Sequence, residues 1–340
     1  VAFAAGARRR QRAAGRRPFA TVAAAAGPSA AKPVAPENIA VVFLKPHAST
    51  DEARAFVPEF LASKGATVIR SGSTTGPEID EQGIIDAHYS VIARIGMARD
   101  MRALNLGAAA AAKFEKGFGV TLDEAIAAGS LHTAATALEA LQVDPSELLD
   151  QCLAVGYEKL QSGLYAAKLT APDGKPAYVL NGFYARMREK FVSPDLVLTW
   201  YLVRFDPTEL PWRKFRQEVI GMTNPDDAAA GSLRAKFRTD WRALGLKGEC
   251  NYQDNGVHAS AGPLEAMKER RVWAGEALEA DALGAALLGC GLSPGHLEAL
   301  AGDAEVELAD GRRGRVFDLT EDMNTGEALE LLSAAKISDS

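Results

Sequence analysis

Apolar residues recur along this chain in two rhythms. The run Ile39-Ala-Val-Val-Phe-Leu44 is β-branched and almost wholly apolar, the pattern of a strand buried on both faces, and Pro46 ends it with Lys45 at its tip. Ser49 or Thr50 then caps a helix whose first turn holds Asp51 and Glu52, whose apolar face carries Phe56, Phe60 and Leu61, and which stops at Gly65. Ala66 to Arg70 reads as a second strand and Ile79 to Tyr89 as a short helix. From 95 to 179 the chain turns Ala-rich, with helical runs at 121–142 and 145–162, the second opened by Asp144-Pro145, a cap followed by proline at the first helical position. A helix over Gly182 to Phe191, a third strand over Leu196 to Phe205, a helix over Pro207 to Ile220, a helical turn opened by Thr223-Asn-Pro-Asp-Asp and a fourth strand over Asn255 to Ser260 follow. Gly262-Pro263 opens a helix through Trp273 that is free to continue to Leu288, and Glu305–Leu308 and Arg315–Leu319 flank a hairpin turn. The order predicts an α+β fold, a ferredoxin-like antiparallel sheet with helices on one face, plus a helical insertion and a C-terminal extension.

Composition narrows the class. With 340 residues, 47% hydrophobic and 24% charged, the chain can bury one or two cores. Its longest apolar run, Ala282 to Leu292, is about half a bilayer crossing, so no membrane partner is expected. Three separated cysteines, without a Cys-x-x-Cys pair, exclude a disulfide framework or a thiolate metal site read from spacing. The net charge of −6 hides an asymmetry, because residues 1–36 carry six arginines and Lys32 but no acid. Without them, 31 basic residues face 44 acidic ones, a body that repels polyanions and makes nucleic acid an unfavourable partner. The basic head reads as an organelle transit peptide, with a nucleic-acid arm or solvated tail as the plainer alternative. Its Arg16-Arg-Pro-Phe-Ala-Thr favours a mitochondrial address, and Val1-Ala-Phe-Ala is compatible with a plastid one.

Chemistry gathers in three places. In Asn255-Gly-Val-His-Ala-Ser260 the period of two puts His258 and Ser260 on one face, and Glu269 in the next helix can fold back to orient the imidazole as a nucleophile or base. A structural histidine is the bland alternative. The stretch from Thr223 to Arg238 supplies a hydroxyl, Arg234, Lys236 and Arg238, donors that a polyphosphate needs. Lys45 is a fixed ammonium, or simply a strand-end charge.

Together these segments resemble the nucleoside diphosphate kinase family. Gln217 to Arg234 is similar to that family's Thr-Asn-Pro and Gly-x-x-Arg stretch, Asn255-Gly-Val-His-Ala-Ser to its Asn-x-x-His-Gly-Ser-Asp signature, and Phe43-Leu-Lys45-Pro46 and Ala87-His-Tyr89 to its first strand and tyrosine-bearing helix. The resemblance covers about 37–94 and 180–280, leaving 1–36 as leader, 95–179 as insertion and 281–340 as extension. It implies a phosphohistidine at His258 supported by Glu269 and Ser260. Lys45, Tyr89, Thr223 and Arg234 would bind nucleotide phosphates, Phe183 and Met187 the base, Asn255 would be a further nucleotide-binding residue, and Mg²⁺ would ride on the phosphates. Partners would be nucleoside triphosphates and diphosphates, and a homo-oligomer would be in character. Departures are equally plain: the family's second phosphate arginine falls on Gln217, with Arg216 on what should be another helical face, and its acids after the serine and after Lys-Pro are Ala261 and His47. A nucleotide-binding scaffold in an organelle complex is the alternative to an enzyme. The insertion, which shows no polar constellation, is expected to alter assembly and cleft access while leaving phosphoryl transfer measurable in its absence.

Overall fold

A computed structural model describes residues 36–337. The readings placed on the basic head therefore lie outside the described residues. The chain enters as β1 (Asn38–Leu44), passes a short 3₁₀ turn and forms α1 (Asp51–Ser63), then β2 (Ala66–Thr75). Thr50 caps α1 by accepting the Ala53 N–H at 3.1 Å, and Gly65, at φ +82°, takes the left-handed turn that redirects the chain into β2. The segment read as one helix over 79–89 is α2 (Gly76–Glu81) and α3 (Ile84–His88), broken at Gly83, and Tyr89 separates α3 from α4 (Ser90–Gly96).

The insertion is not purely helical. Its helices α5 (Ala108–Phe118), α6 (Leu122–Ala127), α7 (Ala134–Leu141) and α8 (Pro145–Val155) pack with β3 (Leu131–Thr133), β4 (Glu158–Gln161), β5 (Leu164–Thr170) and β6 (Pro176–Leu180). These strands form their own sheet in the order β3-β6-β5-β4. The expected helix over 121–142 is interrupted because Leu131-His-Thr pairs parallel to β6, and Gly156 ends α8 so that 158–161 is free to pair with β5.

After α9 (Phe183–Phe191) the chain returns to the first sheet as β7 (Val197–Phe205) and later β8 (Val257–Ala259). That sheet has the order β2-β7-β1-β8, all antiparallel, the ferredoxin-like arrangement in which the first strand lies between the third and fourth of the core. Helices, however, cover both faces. Ala40, Val42 and Leu44 pack with α1, Trp212, Phe215 and Phe237, whereas Val41 and Phe43 pack with Ile79, Ile85, Phe191 and Trp273. Both alternating sets of β1 are thus buried, as its unbroken apolar run requires. Trp200 lies so close to β2 that a Cβ at Gly72 would sit 2.3 Å from its ring.

Helix is also shorter than expected between 207 and 232. Only α10 (Trp212–Lys214) forms, continuing as a π turn over Phe215–Ile220, and Thr223-Asn-Pro-Asp-Asp makes turns in which Asn224 bonds Asp227 at 2.9 Å. The next helices are α11 (Leu233–Thr239) and α12 (Pro263–Ala274). Gly275, at φ +68°, ends α12, so α13 (Ala282–Gly289) is separate. The extension adds α14 (Pro294–Ala301), the hairpin β9 (Glu305–Glu307) and β10 (Arg313–Arg315), α15 (Val316–Thr320), α16 (Thr325–Ser333) and β11 (Lys336–Ile337). Residues expected as the hairpin's second strand mostly enter α15.

Candidate functional site

His258 stands on β8 opposite Phe43 of β1, and the two rings stack at 4.6 Å. Its Nε2 lies 2.7 Å from Glu269 Oε1, and the Ser260 hydroxyl lies 2.5 Å from Glu269 Oε2. Because the Val41 N–H donates to Ser260 Oγ at 2.8 Å, the hydroxyl proton is directed to the carboxylate. The chain of donors fixes Nε2 as the protonated nitrogen and leaves the Nδ1 lone pair of His258 available. Burial holds the imidazole well below the ordinary histidine range, and Lys45, Arg234 and Arg216 add to the effect, so His258 is neutral at physiological pH. Glu269 is itself pushed up by burial, opposed by His88 and by its bond from Ser260.

A second histidine packs against the first. His88, at the end of α3, meets His258 edge-on at 4.5 Å and accepts the Trp273 indole N–H at 3.2 Å, and burial depresses it to about 3. Potential ligand atoms of His88, His258 and Glu269 lie within 4.8 Å of one another, a spacing that could suit a metal. Several of these atoms are already engaged: Glu269 accepts from His258 Nε2 and Ser260, and His88 Nδ1 accepts from Trp273.

In front of His258 opens a cavity of about 390 Å³ lined by Lys45, Tyr89, Thr223, Arg234 and Asn255. The structure thus brings the four expected phosphate ligands and Asn255 to one place with the histidine. Arg234 donates to the carbonyls of Gly221 at 2.7 Å and Val257 at 3.1 Å, which anchors the guanidinium, while its Nε is buried without a partner among the described residues. Asn255 is tied to the Thr223 carbonyl at 2.8 Å, joining the Gly-punctuated loop to the strand that bears His258. Burial, then Arg234, lowers Lys45 to about 8, and burial, then Arg216, lowers Arg234 to about 10. Lys45 and Arg234 form no ion pair among the described residues, so this wall presents positive charge to a polyanion.

Further residues line this wall. Arg216 and Gln217 both face the cavity, because the π turn adds a residue to the helical repeat and swings Arg216 round from the face an α-helix would give it. Glu321 and Asp322 of the extension also line it, and both bond Arg216 Nη1, at 2.8 and 2.6 Å. The Asp322 N–H bonds the carbonyl of Ala261, so the extension delivers carboxylates beside the position where the sequence lacks one. No sequence signal marks this, since the two segments are joined only by the fold. Pro46-His47 likewise has a structural role: His47 Nε2 accepts the Gly256 N–H at 3.0 Å.

Lys45 and Tyr89 also belong to an adjoining cavity of about 310 Å³, where Phe183, Met187 and Phe191 of α9 form an apolar wall. The expected base contacts therefore lie next to the expected phosphate contacts.

No protein-family model matches the sequence, and comparison with curated proteins gives no significant match. Solved structures similar to the chain include a nucleoside diphosphate kinase from Encephalitozoon cuniculi, at 14% identity and a TM-score of 0.32, covering 72% of this chain and 92% of that one. A nucleoside diphosphate kinase family protein from Babesia bovis gives 16% and 0.29, covering 69% and 87%, and an NDP kinase from Pyrobaculum aerophilum 17% and 0.29, covering 70% and 96%. Superposition at this level is loose, and the roles of residues in this chain follow from its own geometry. Among the described residues, no helix is long and apolar enough to cross a membrane.

Proposed function

We propose that the chain transfers a phosphoryl group from a nucleoside triphosphate to a nucleoside diphosphate through a phosphohistidine at His258. The observation that carries this reading is a neutral imidazole, oriented by Glu269 and Ser260, set in the wall of a cavity with Lys45, Arg234 and Arg216. A merely structural histidine has no need of three cations in front of it. The Nδ1 lone pair would attack the terminal phosphorus in line as the bond to the bridging oxygen breaks, and that oxygen's electron pair would leave with the nucleoside diphosphate. Nε2 keeps its proton throughout, and Glu269 stabilises the cationic ring of the phosphohistidine. An acceptor diphosphate in the same cavity then takes the group by the reverse displacement.

Magnesium suits this site as part of the substrate: the nucleotide phosphates would hold it, and Glu321 and Asp322 are the carboxylates on the cavity wall. Bound there, it offsets phosphate charge. The residues themselves supply orientation and the remaining positive charge.

Incubation with Mg·ATP and no acceptor is expected to give an acid-labile, base-stable label on His258 that any nucleoside diphosphate discharges. His258→Ala should lose the label while retaining most nucleotide affinity, because the imidazole acts in the transition state. Label that persists in this variant, or stoichiometric nucleotide binding without label in the unaltered chain, sinks the assignment. The second outcome would favour the nucleotide-binding scaffold of an organelle complex.

A further inference from the structure

The 310 Å³ cavity has two walls of different origin. One is α9, with Phe183, Met187 and Phe191; facing it stand Leu149 and Leu153 of α8 and Tyr157 just beyond, all from the insertion. We infer that the insertion is the second jaw of a nucleobase slot, and that Leu153 and Tyr157 give the chain affinity for a nucleotide over a base-free polyphosphate. This rests on the function proposed above and goes beyond it, since it assigns substrate recognition to a segment outside the sheet that carries the chemistry.

Three features support it. The occupant's chemistry is set by continuity, because Lys45 and Tyr89 line both this slot and the phosphate cavity, so a molecule with phosphates before His258 extends its other end between the jaws. The lining is mostly apolar and aromatic, which suits the flat faces of a heteroaromatic ring. Leu153 is 53% exposed at the rim, and a ring in the slot would cover it.

The jaw is also built to hold its position. Tyr157 and Tyr165 meet the Phe183 ring edge-on at 5.8 and 5.9 Å, so the insertion fixes the residue expected to stack on the base. Behind them Cys152 and Leu148, fully buried, share a core with Tyr184 and Ala185 of α9. The two walls are therefore parts of one packed body. The expectation that the insertion alters cleft access acquires a definite location, and its contribution is apolar, as expected of a segment without a polar constellation.

The test compares ADP with inorganic tripolyphosphate by calorimetry on the full chain. Leu153→Gln is helix-compatible and at an exposed position; it is expected to weaken ADP about fivefold and leave tripolyphosphate within experimental error. Tyr157→Ala should weaken ADP further, because it also releases Phe183. Unchanged ADP affinity in Leu153→Gln, or an equal loss for both ligands, overturns the jaw. The catalytic reading is separated by the label on His258. An ADP-selective loss in a chain that never labels supports the jaw and removes the kinase, whereas normal labelling with unchanged ADP affinity removes the jaw alone.

Discussion

At the scale of single residues, the candidate site depends on two groups whose protonation is set by burial. Glu269 must accept from both His258 and Ser260, and an amide in its place keeps one acceptor oxygen but presents a donor to the serine and no charge to the ring. Glu269→Gln is therefore expected to slow formation of phosphohistidine about a hundredfold in a single-turnover experiment, with little change in nucleotide affinity. Lys45 gives a pH signature. Since its free-state value is about 8, the ammonium that meets the phosphates is lost as pH rises through that point, whereas a bound polyphosphate restores it. Nucleotide affinity should fall above pH 8 with uptake of a proton on binding, read as a buffer-dependent heat, and Lys45→Arg should remove the inflexion. Arg216, shared between Glu321 and Asp322, should become a better phosphate ligand when released: Asp322→Asn is expected to tighten tripolyphosphate several-fold by calorimetry. Much of this geometry was legible. A period of two placed His258 with Ser260, and helical reach brought Glu269 back. Arg216 was not, because its position depends on a π turn, and residues 215–220 read equally well as ordinary helix.

At the scale of elements, legibility tracked burial on both sides. β1 and β7 were read to within a residue or so because their apolar runs admit no other face, and α1 because Thr50 and Gly65 bracket it. The insertion misled because its strands are short and embedded in Ala-rich sequence with helical propensity; β3 exists through pairing with β6, a tertiary cause that local pattern does not carry. That pairing changes what deletion should do. Replacing 95–179 with a linker removes Leu148, Cys152 and Val179 from the core that backs α9. The deletion is now expected to lower the melting temperature and abolish ADP binding, followed by thermal melt and calorimetry. Leu148→Ala alone should cost about 2 to 5 kcal/mol of stability in denaturant titration.

At the scale of the whole molecule, the extension is structural as well as site-forming. Asn324 Oδ1 accepts from Asn38 Nδ2 and from the Trp212 N–H, both at 2.9 Å, and Thr325 N–H donates to Asn38 at 2.8 Å. Leu264 and Met267 of α12 are buried by residues of 278–332. A chain ending at 280 should lose its cooperative melt, and Asn324→Ala should destabilise by about 2 kcal/mol or more, as two donors lose their acceptor. The clasp between Asn38 and Asn324 spans 286 positions of sequence, and β8, the neighbour of β1, is itself more than two hundred positions downstream. During synthesis, then, β1 emerges well before either neighbour, with both faces apolar, and lacks β8 until residue 259 has been made. Such an order makes closure of the sheet on its β8 side a late event, which favours slow folding. Arrested nascent chains ending before residue 257 should remain sensitive to protease across 38–44, and protection should appear only when the chain extends past 325.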